Sequence, residues 1–325
     1  MIISRTPLRV SFFGGSTDYP VWYRENPGAV LATTIDKYCW VTCRYLPPFF
    51  EHKHRIVWSF IELVQKIDDI KHPGVRETLK FMKVAEGLEI HYDGDLPSQT
   101  GLGSSSAFVA GLLHALYAMK GIEPADMQLA LSAIHIEQEL IRENVGSQDQ
   151  TMAAFGGFNR VDFLGDNISV TPIQVPPERL DQLQSHLMLL FTGFQRTASQ
   201  IAGEQIKETP SHVSELKEMY YLVKEAENIL CSDTDLVGFG KLLHESWKLK
   251  RSLTSKISTP YIDYLYDKAI NAGAIGGKIT GAGGGGFLLL FVTPELQSKV
   301  KESLGNLLHV PFRFEDEGSK VIFNG

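Results

Sequence analysis

The stretch PSQTGLGSSSAF, residues 97–108, decides how the rest of the chain is interpreted. It follows the alternating segment LEIHYDGDL and opens the apolar run AFVAGLLHALYAM, which predicts the order strand, glycine-rich turn, helix. In that order, backbone N–H groups can surround an anion at a helix N-terminus, where the helix dipole also favours negative charge. Gly101 and Gly103 can adopt positive φ, and serine hydroxyls follow them. The turn, residues 97–106, is therefore predicted to hold a phosphate, and we call it the cradle.

Two common phosphate-binding motifs do not describe the cradle. A Walker A loop needs a lysine directly before its Ser/Thr, and Gly103 occupies that place. The dinucleotide motif GxGxxG does not fit either, because serines follow the glycines at 101 and 103. On local evidence, a plain turn followed by N-capping serines is the alternative interpretation.

Composition places the chain among ordinary globular proteins. Its 325 residues suffice for two domains, and a hydrophobic fraction of 43% excludes a chain that is mainly disordered. The net charge of -7 argues against a general attraction to nucleic acid or anionic membranes. No run of about 18 apolar residues and no signal-peptide pattern occur, so we expect a cytoplasmic protein. Cys39, Cys43 and Cys231 are too few and too badly spaced for a disulfide framework or a zinc site.

Two further glycine-rich turns accompany the cradle. In LRVSFFGGSTDY, residues 8–19, a strand carrying Arg9 is broken at Gly14 and Gly15, and Asp18 follows in a loop. In GGKITGAGGGGF, residues 276–287, four consecutive glycines lead straight into an apolar strand. Such a run predicts a close approach of the backbone to a ligand or to another glycine-rich turn.

Three acidic residues after the cradle are candidates for chemistry. Glu137 and Glu139 stand two apart on a predicted helix and point about 200° away from each other, so only one of them can face a site. Asp149, in ENVGSQDQ, is either an N-cap or a catalytic carboxylate on local evidence. Further along, the linker VPPERLDQL separates two halves, of which the second has an α+β pattern, and we place the boundary between residues 178 and 179.

The three glycine-rich segments at 8–19, 97–107 and 276–287 resemble, in order and spacing, the signature motifs of the GHMP kinases. The resemblance implies a two-lobed α+β fold, with residues 1–178 similar to ribosomal protein S5 domain 2 and residues 179–325 ferredoxin-like. It also implies that ATP lies between the halves, with its phosphates over the cradle, and that Mg²⁺ assists phosphoryl transfer. The expected partners are therefore ATP and a small molecule, with no nucleic acid and no membrane, in a monomer or a homodimer.

The same resemblance assigns roles to residues. Asp149 corresponds to the proposed base and Arg9 to the arginine that stabilises it; Ser105 and Glu139 are expected on the metal, with Glu137 as the fallback for Glu139. The residues expected to bind ATP are Pro97, Thr100, Gly101, Leu102, Gly103, Ser104, Ser105, Ser106, Gly281 and Gly283. The residues expected to bind the acceptor are Gly15, Ser16, Thr17, Asp18, Arg196 and Gly284.

Within the family, RTPLRVSFFGGSTDYPVWY, TTIDKY, ENVGSQDQ and TGFQRTAS are most similar to the kinases of D-glycero-D-manno-heptose 7-phosphate. That similarity implies phosphorylation of the anomeric hydroxyl to give a 1,7-bisphosphate. Gly15-Ser16 replaces the glutamate-histidine pair of the galactokinase motif, which argues against galactose. The alternatives are a sugar-1-kinase for fucose or galactose, an ATP-dependent decarboxylase of the same fold, and a binding module without activity.

Overall fold

The computed structural model describes residues 1–193, 198–305 and 307–325, and their strands form two sheets. Strands and helices are numbered in chain order. The larger sheet has nine strands: β1 (Ile2–Phe13), β2 (Gly28–Tyr45), β3 (His54–Val57), β4 (Ile61–Val64), β5 (Leu88–Gly94), β6 (Phe158–Leu164), β7 (Asn167–Pro172), β12 (Phe314–Glu315) and β13 (Lys320–Asn324). The smaller sheet has four strands: β8 (Leu187–Phe191), β9 (Gly276–Ile279), β10 (Phe287–Phe291) and β11 (Leu308–His309).

Helices cover the sheets and connect them. The α-helices are α1 (Pro20–Tyr23), α2 (Pro73–Phe81), α3 (Ser104–Met119), α4 (Asp126–His135), α5 (Gln148–Phe155), α6 (Pro177–Ser185), α7 (Ala198–Glu208), α8 (Val213–Leu230), α9 (Val237–Ser252), α10 (Pro260–Ala272) and α11 (Gln297–Ser303). A π-helical turn, Ile136–Leu140, extends α4, and short 3₁₀ turns cover Ile67–Asp69, Thr209–Ser211 and Pro294–Leu296. Among the residues that the structure describes, none of the helices combines the length and apolarity needed to cross a bilayer.

The long strand β2 is the spine of the larger sheet. It pairs with β1, β5 and β6, and it continues without a break through Asp36 and Lys37. The ladder with β1 shifts register at this point, so that Leu8 faces Ile35 and Pro7 faces Tyr38. A β-bulge of this kind accommodates the extra residues without ending the strand.

The smaller sheet has the order β11-β8-β10-β9 and is antiparallel throughout, as an α+β second half requires. The end of the chain leaves this half, since β12 pairs with β2 and β13 pairs with β1 of the larger sheet. A single cut between residues 178 and 179, which falls inside α6, therefore does not separate the two sheets. This return is not visible in the local sequence pattern, because it depends on pairing between strands that are far apart in the chain.

A buried aromatic cluster at the end of β1 packs the two halves against each other. Phe12, near the end of β1, is fully buried and lies 5.4 Å from Phe158, 5.5 Å from Phe239 and 6.5 Å from Phe314, measured between ring centroids. Phe239 belongs to α9, whereas the other three rings belong to the larger sheet. This packing fixes the end of β1, and thus the loop that follows it, against the helix of the other half.

We predict that Phe12→Ala lowers the free energy of unfolding by about 3–5 kcal/mol, since it leaves a large cavity in the core. Phe49→Ala is the matched control, because Phe49 is 89% exposed, and its effect should stay within about 0.5 kcal/mol. Urea denaturation of both variants measures the difference. Equal midpoints would contradict the placement of Phe12 at this junction.

Candidate active site

One cleft collects most of the candidate residues at the junction of the two halves. The end of β1 and its loop form one wall, the cradle forms the floor, and α9 with the third glycine-rich turn closes the opposite side. Of the residues expected to bind ligands, those that line the cleft are Arg9, Gly15, Ser16, Asp18, Gly101, Gly103, Ser104, Ser105, Ser106, Asp149 and Gly281.

The cradle has the geometry of an anion site. Gly101 and Gly103 have φ of 82° and 75°, and Gly103 is the N-cap of α3. In the part of the chain that the structure describes, no side chain caps the first turn of α3, so its leading amides have no partner within the helix. Ser105 is exposed at the cleft, whereas Ser104 and Ser106 are buried. The cradle therefore presents free amides and one free hydroxyl to the cleft.

The third glycine-rich turn packs directly on the cradle. A Cβ at Gly101 would lie 2.4 Å from the Thr280 carbonyl oxygen, and a Cβ at Gly281 would lie 2.5 Å from the Gly101 Cα. The Thr280 hydroxyl also donates to the Thr100 carbonyl over 2.9 Å. Of the two alternatives left open for this glycine run, contact with another glycine-rich turn is thus observed.

Several residues expected to touch ligands serve the turns instead. A Cβ at Gly283 would lie 2.6 Å from the Ile257 carbonyl oxygen, and the Gly284 amide donates to that carbonyl, so both glycines pack on the Ile257 backbone. Neither lines the cleft, and the contacts expected of Gly283 with ATP and of Gly284 with the acceptor stay predictions. Pro97, Thr100, Leu102 and Thr17 likewise stand outside the cleft lining.

The bonds made by these residues explain their placement. The Thr100 hydroxyl donates to the Pro97 carbonyl over 2.8 Å, and Leu102 is fully buried. Thr17 is also fully buried, and its hydroxyl oxygen accepts from the Ala29 amide over 3.0 Å. These bonds shape the first and second turns, and the contacts with ligands expected of these residues stay predictions.

Arg9 and Asp149 form the central ion pair of the cleft. Arg9 Nε and Nη2 donate to the two carboxylate oxygens of Asp149 over 2.8 and 2.7 Å, and Nη1 donates to the Gly101 carbonyl over 2.7 Å. A bidentate arginine-carboxylate pair fixes the orientation of both groups. The side chain of Asp149 keeps 17% exposure, so the carboxylate still faces the cleft.

Asp18 forms the base of the loop that follows β1. Its carboxylate accepts from the Ser16 amide over 3.0 Å and from the Gln148 amide over 3.4 Å. Burial, and then the nearby charge of Asp149, raise the pKa of Asp18 above its ordinary value. Ser16 beside it donates its hydroxyl to Gln205 over 2.9 Å, which ties this loop to α7.

Glu137, and not Glu139, is the carboxylate that faces the cradle. Glu137 is fully buried and accepts from the Ser106 hydroxyl over 2.7 Å and from Gln150 Nε2. Glu139, the residue expected on the metal, is exposed, so the structure places the fallback Glu137 and not Glu139 beside the cradle. Burial raises the pKa of Glu137 to about 8, and its Oε1 has no hydrogen-bond partner among the described residues.

Sequence reasoning missed two parts of the cleft. An aromatic group, consisting of Trp58, His72, Tyr92 and Phe108, lines its far end, with centroid distances of 4.9 Å from His72 to both Trp58 and Phe108. Lys250 of α9 is the other part. Its signal was present in the sequence, because residues 239, 243, 247 and 250 share one face of an amphipathic helix. Arg196, expected to bind the acceptor, lies outside the described residues.

Two family descriptions match the chain. "GHMP kinases N terminal domain" matches residues 62–157, and "GHMP kinases C terminal" matches residues 222–309. Together they cover more than half of the chain and both sides of the cleft.

The individual relatives share less than 30% sequence identity with this chain. The chain is 28% identical to a D-glycero-alpha-D-manno-heptose 7-phosphate kinase of Campylobacter jejuni, over 90% of both chains. It is 26% identical to a galactokinase of Pyrococcus furiosus, over 93% of this chain and 92% of that one. The crystal structure of a D-glycero-D-manno-heptose 1-phosphate kinase from Bacteriodes thetaiotaomicron superposes with a TM-score of 0.82 over 100% of both chains, at 23% identity. At that identity the superposition supports the fold alone.

We predict that Gly101→Ala destabilises the protein more than Gly121→Ala does. Both glycines have positive φ, 82° and 69°, which costs alanine about 1–2 kcal/mol, but nothing lies within 4 Å of a Cβ at Gly121. At Gly101 the collision with Thr280 adds to that strain and displaces the cradle. Thermal melting with and without Mg·ATP should show a lower melting temperature and a lost ATP-induced rise for Gly101→Ala only. Identical behaviour of the two variants would argue against this packing.

Proposed function

Because the chain belongs to the GHMP kinase family, we propose that it is an ATP-dependent sugar kinase acting on the anomeric hydroxyl of D-glycero-D-manno-heptose 7-phosphate, with the 1,7-bisphosphate as product. The observation that carries this proposal is the Arg9 guanidinium, which bonds both to Asp149 and to the Gly101 carbonyl. A candidate base and a phosphate cradle are thereby held at a fixed separation. Phosphoryl transfer depends mainly on such alignment, together with charge stabilisation.

The cradle is proposed to bind the phosphates of ATP. The first amides of α3 point to the cleft, and the dipole of this 16-residue helix adds to the attraction for negative charge. The adenine base is placed against the aromatic group at the far end of the cleft, since flat rings there offer stacking surfaces. Lining by the cradle and by these rings supports the proposal that the cleft binds both the phosphates and the adenine of ATP.

The residues near the cradle fit a Mg²⁺ ion. The orphaned Oε1 of buried Glu137 and the exposed hydroxyl of Ser105 are both oxygen ligands, which this ion prefers. The described residues contain no cluster of three or more His, Cys, Asp or Glu suited to a metal, and Mg²⁺ in kinases takes most of its ligands from phosphates and water. When bound, it would neutralise charge on the β- and γ-phosphates. Ser106 holds Glu137 in place for this role.

Asp149 is proposed to accept the proton of the anomeric hydroxyl. The bond from the γ-phosphorus to its bridging oxygen breaks, a bond to the sugar oxygen forms, and the hydroxyl proton passes to the Asp149 carboxylate. An anomeric hydroxyl is more acidic than an ordinary alcohol, so a carboxylate suffices as the base. Ser16 and Asp18, at the other edge of the cleft, are placed to contact sugar hydroxyls.

The choice of acceptor rests on the relatives and on one motif. The Campylobacter jejuni relative is a kinase of heptose 7-phosphate, and this similarity supports the same acceptor here. A sugar-1-kinase for galactose or fucose is the second candidate, favoured by the similarity to a galactokinase. Gly15-Ser16, in place of the glutamate-histidine pair of the galactokinase motif, disfavours galactose.

We predict that Asp149→Asn lowers kcat by at least about 10²-fold, because asparagine keeps the shape of the side chain but cannot accept the proton. Asp166→Asn, in the exposed turn between β6 and β7, is the matched control and should keep its activity. Steady-state kinetics of both variants, with melting curves to confirm folding, provide the measurement. Turnover near the wild-type value in Asp149→Asn would reject the base role.

An acceptor panel tests the function as a whole. We expect ADP release with heptose 7-phosphate, little with galactose or fucose, and a new phosphorus resonance of an anomeric phosphate in the product. Preferred turnover of galactose or fucose would replace the proposed acceptor. Release of carbon dioxide from an acidic substrate would instead indicate the decarboxylase alternative.

A further inference from the structure

Lys250 is a buried cation that faces the cleft without an acidic partner. It belongs to α9, only 4% of its surface is exposed, and it lines the cleft. Its Nζ donates to the carbonyl of Gly281, the glycine that packs on the cradle. Among the described residues, no carboxylate lies within ion-pair distance of this ammonium, and no further hydrogen bond uses its other two protons.

The charges around Lys250 come from four elements. Arg9 on β1 is cationic, and Asp18 in the loop after β1 and Asp149 on α5 carry carboxylates. Burial lowers the pKa of Lys278 on β9 well below its ordinary value, which disfavours a charge there. Both carboxylates are already engaged, Asp149 by the Arg9 fork and Asp18 by two backbone amides. Asp18 and Asp149 therefore act on Lys250 only at longer range, where they raise its pKa, and neither forms an ion pair with it among the described residues.

A second buried lysine provides a contrast. Lys278 is 3% exposed, and its Nζ donates to the Phe12 carbonyl over 3.0 Å. It does not line the cleft, so its position is that of a structural link between β9 and β1. Lys250, by comparison, has free donors on the side where ligands enter.

Burying an unpaired ammonium is unfavourable, and proteins retain such groups where a ligand supplies the opposite charge. The position of Lys250 indicates which charge that is. Its partner Gly281 packs against Gly101 of the cradle, and its Nζ lies 3.8 Å from the site that a Cβ on Gly15 would occupy. The ammonium is thus located between the cradle and the loop proposed to bind the acceptor. In the proposed reaction, the phosphoryl group crosses this space.

We propose that Lys250 is a catalytic residue whose ammonium binds the phosphoryl group while it passes from ATP to the acceptor. This inference rests on the proposed kinase function. Arg9 and the cradle amides approach the phosphoryl group from the N-terminal half, and Lys250 approaches it from the C-terminal half. Lys250 keeps all of its protons, since the hydroxyl proton passes to Asp149. Its contribution is electrostatic, in a site where charge is screened less than in water.

The titration of Lys250 provides a readout that activity alone lacks. Burial lowers the pKa of Lys250 to about 8, with Arg9 acting in the same direction and the two carboxylates opposing it. In the free enzyme the ammonium therefore loses its proton as the pH rises through about 8. Because kcat/KM reports the ionisation of the free enzyme, it should fall along an alkaline limb in this range.

The test compares Lys250→Met and Lys250→Arg with the control Lys248→Met, an exposed neighbour on the same helix that pairs with Glu245. Assayed with Mg·ATP and heptose 7-phosphate, Lys250→Met should lose roughly 10²-fold or more in kcat while the acceptor KM changes by less than about threefold. Lys250→Arg should retain more activity than Lys250→Met, without the alkaline limb of the wild type. Lys248→Met should match the wild type.

Stability separates this role from a structural one. The cost of the buried charge applies below pH 8 and disappears as the pH rises toward the ordinary lysine value of 10.5. The melting temperature of Lys250→Met should therefore be no lower than that of the wild type at pH 7. If the variant melts at a higher temperature at pH 7, the difference should become smaller toward pH 10. A lower melting temperature at pH 7 would mean that Lys250 only anchors the Gly281 turn, and would overturn the proposal.

Two kinetic results would also overturn it. Wild-type kcat in Lys250→Met would show that the ammonium does not act on the transferred group. A raised acceptor KM with unchanged kcat would assign Lys250 to the distant phosphate of the substrate. A wild-type enzyme that phosphorylates no sugar in the panel would contradict the proposed function itself, a result distinct from either of these.

Discussion

The close packing of two glycine-rich turns is the constraint on which the cleft depends. The Gly281 turn lies so near the cradle that a Cβ on either Gly101 or Gly281 would penetrate the other backbone. Only glycine permits this approach, and it places a turn of the second half directly against the anion site of the first. The Thr280 hydroxyl strengthens the contact by donating to the Thr100 carbonyl. The cleft is consequently formed by both halves. The buried ring of Phe12 stabilises this arrangement by packing against Phe239 of α9.

Three acidic groups around this contact are held by named partners. Arg9 orients Asp149, backbone amides hold Asp18, and Ser106 with Gln150 holds Glu137. Lys250, which has no ion pair among the described residues, and the free amides of the cradle are hydrogen-bond donors left open to the cleft. A site with such open donors is suited to an anionic ligand. Both the proposed phosphoryl transfer and the proposed role of Lys250 depend on these open donors, because each requires an anionic group to bind there.

The sequence predicted those features that follow from local chemistry. Glycines and serines before an apolar helix indicated the cradle, and the 200° separation indicated that only one of Glu137 and Glu139 could face a site. Which of the two carboxylates lies beside the cradle could not be read from the sequence, because it depends on how α4 and its π-helical turn pack against α3. The return of β12 and β13 to the larger sheet is equally non-local. Lys250 was overlooked although its helix face was predictable, since lysines on amphipathic helices usually extend into solvent.

A structure with a non-hydrolysable ATP analogue and Mg²⁺ tests the central claim most directly. That claim is that main-chain amides at the start of α3, rather than a lysine-bearing loop, bind the triphosphate. We expect phosphate oxygens within hydrogen-bond distance of the amides of residues 103–106, with the adenine against the aromatic group. A triphosphate located elsewhere, or a cradle whose amides face only protein atoms in the complex, would contradict the account.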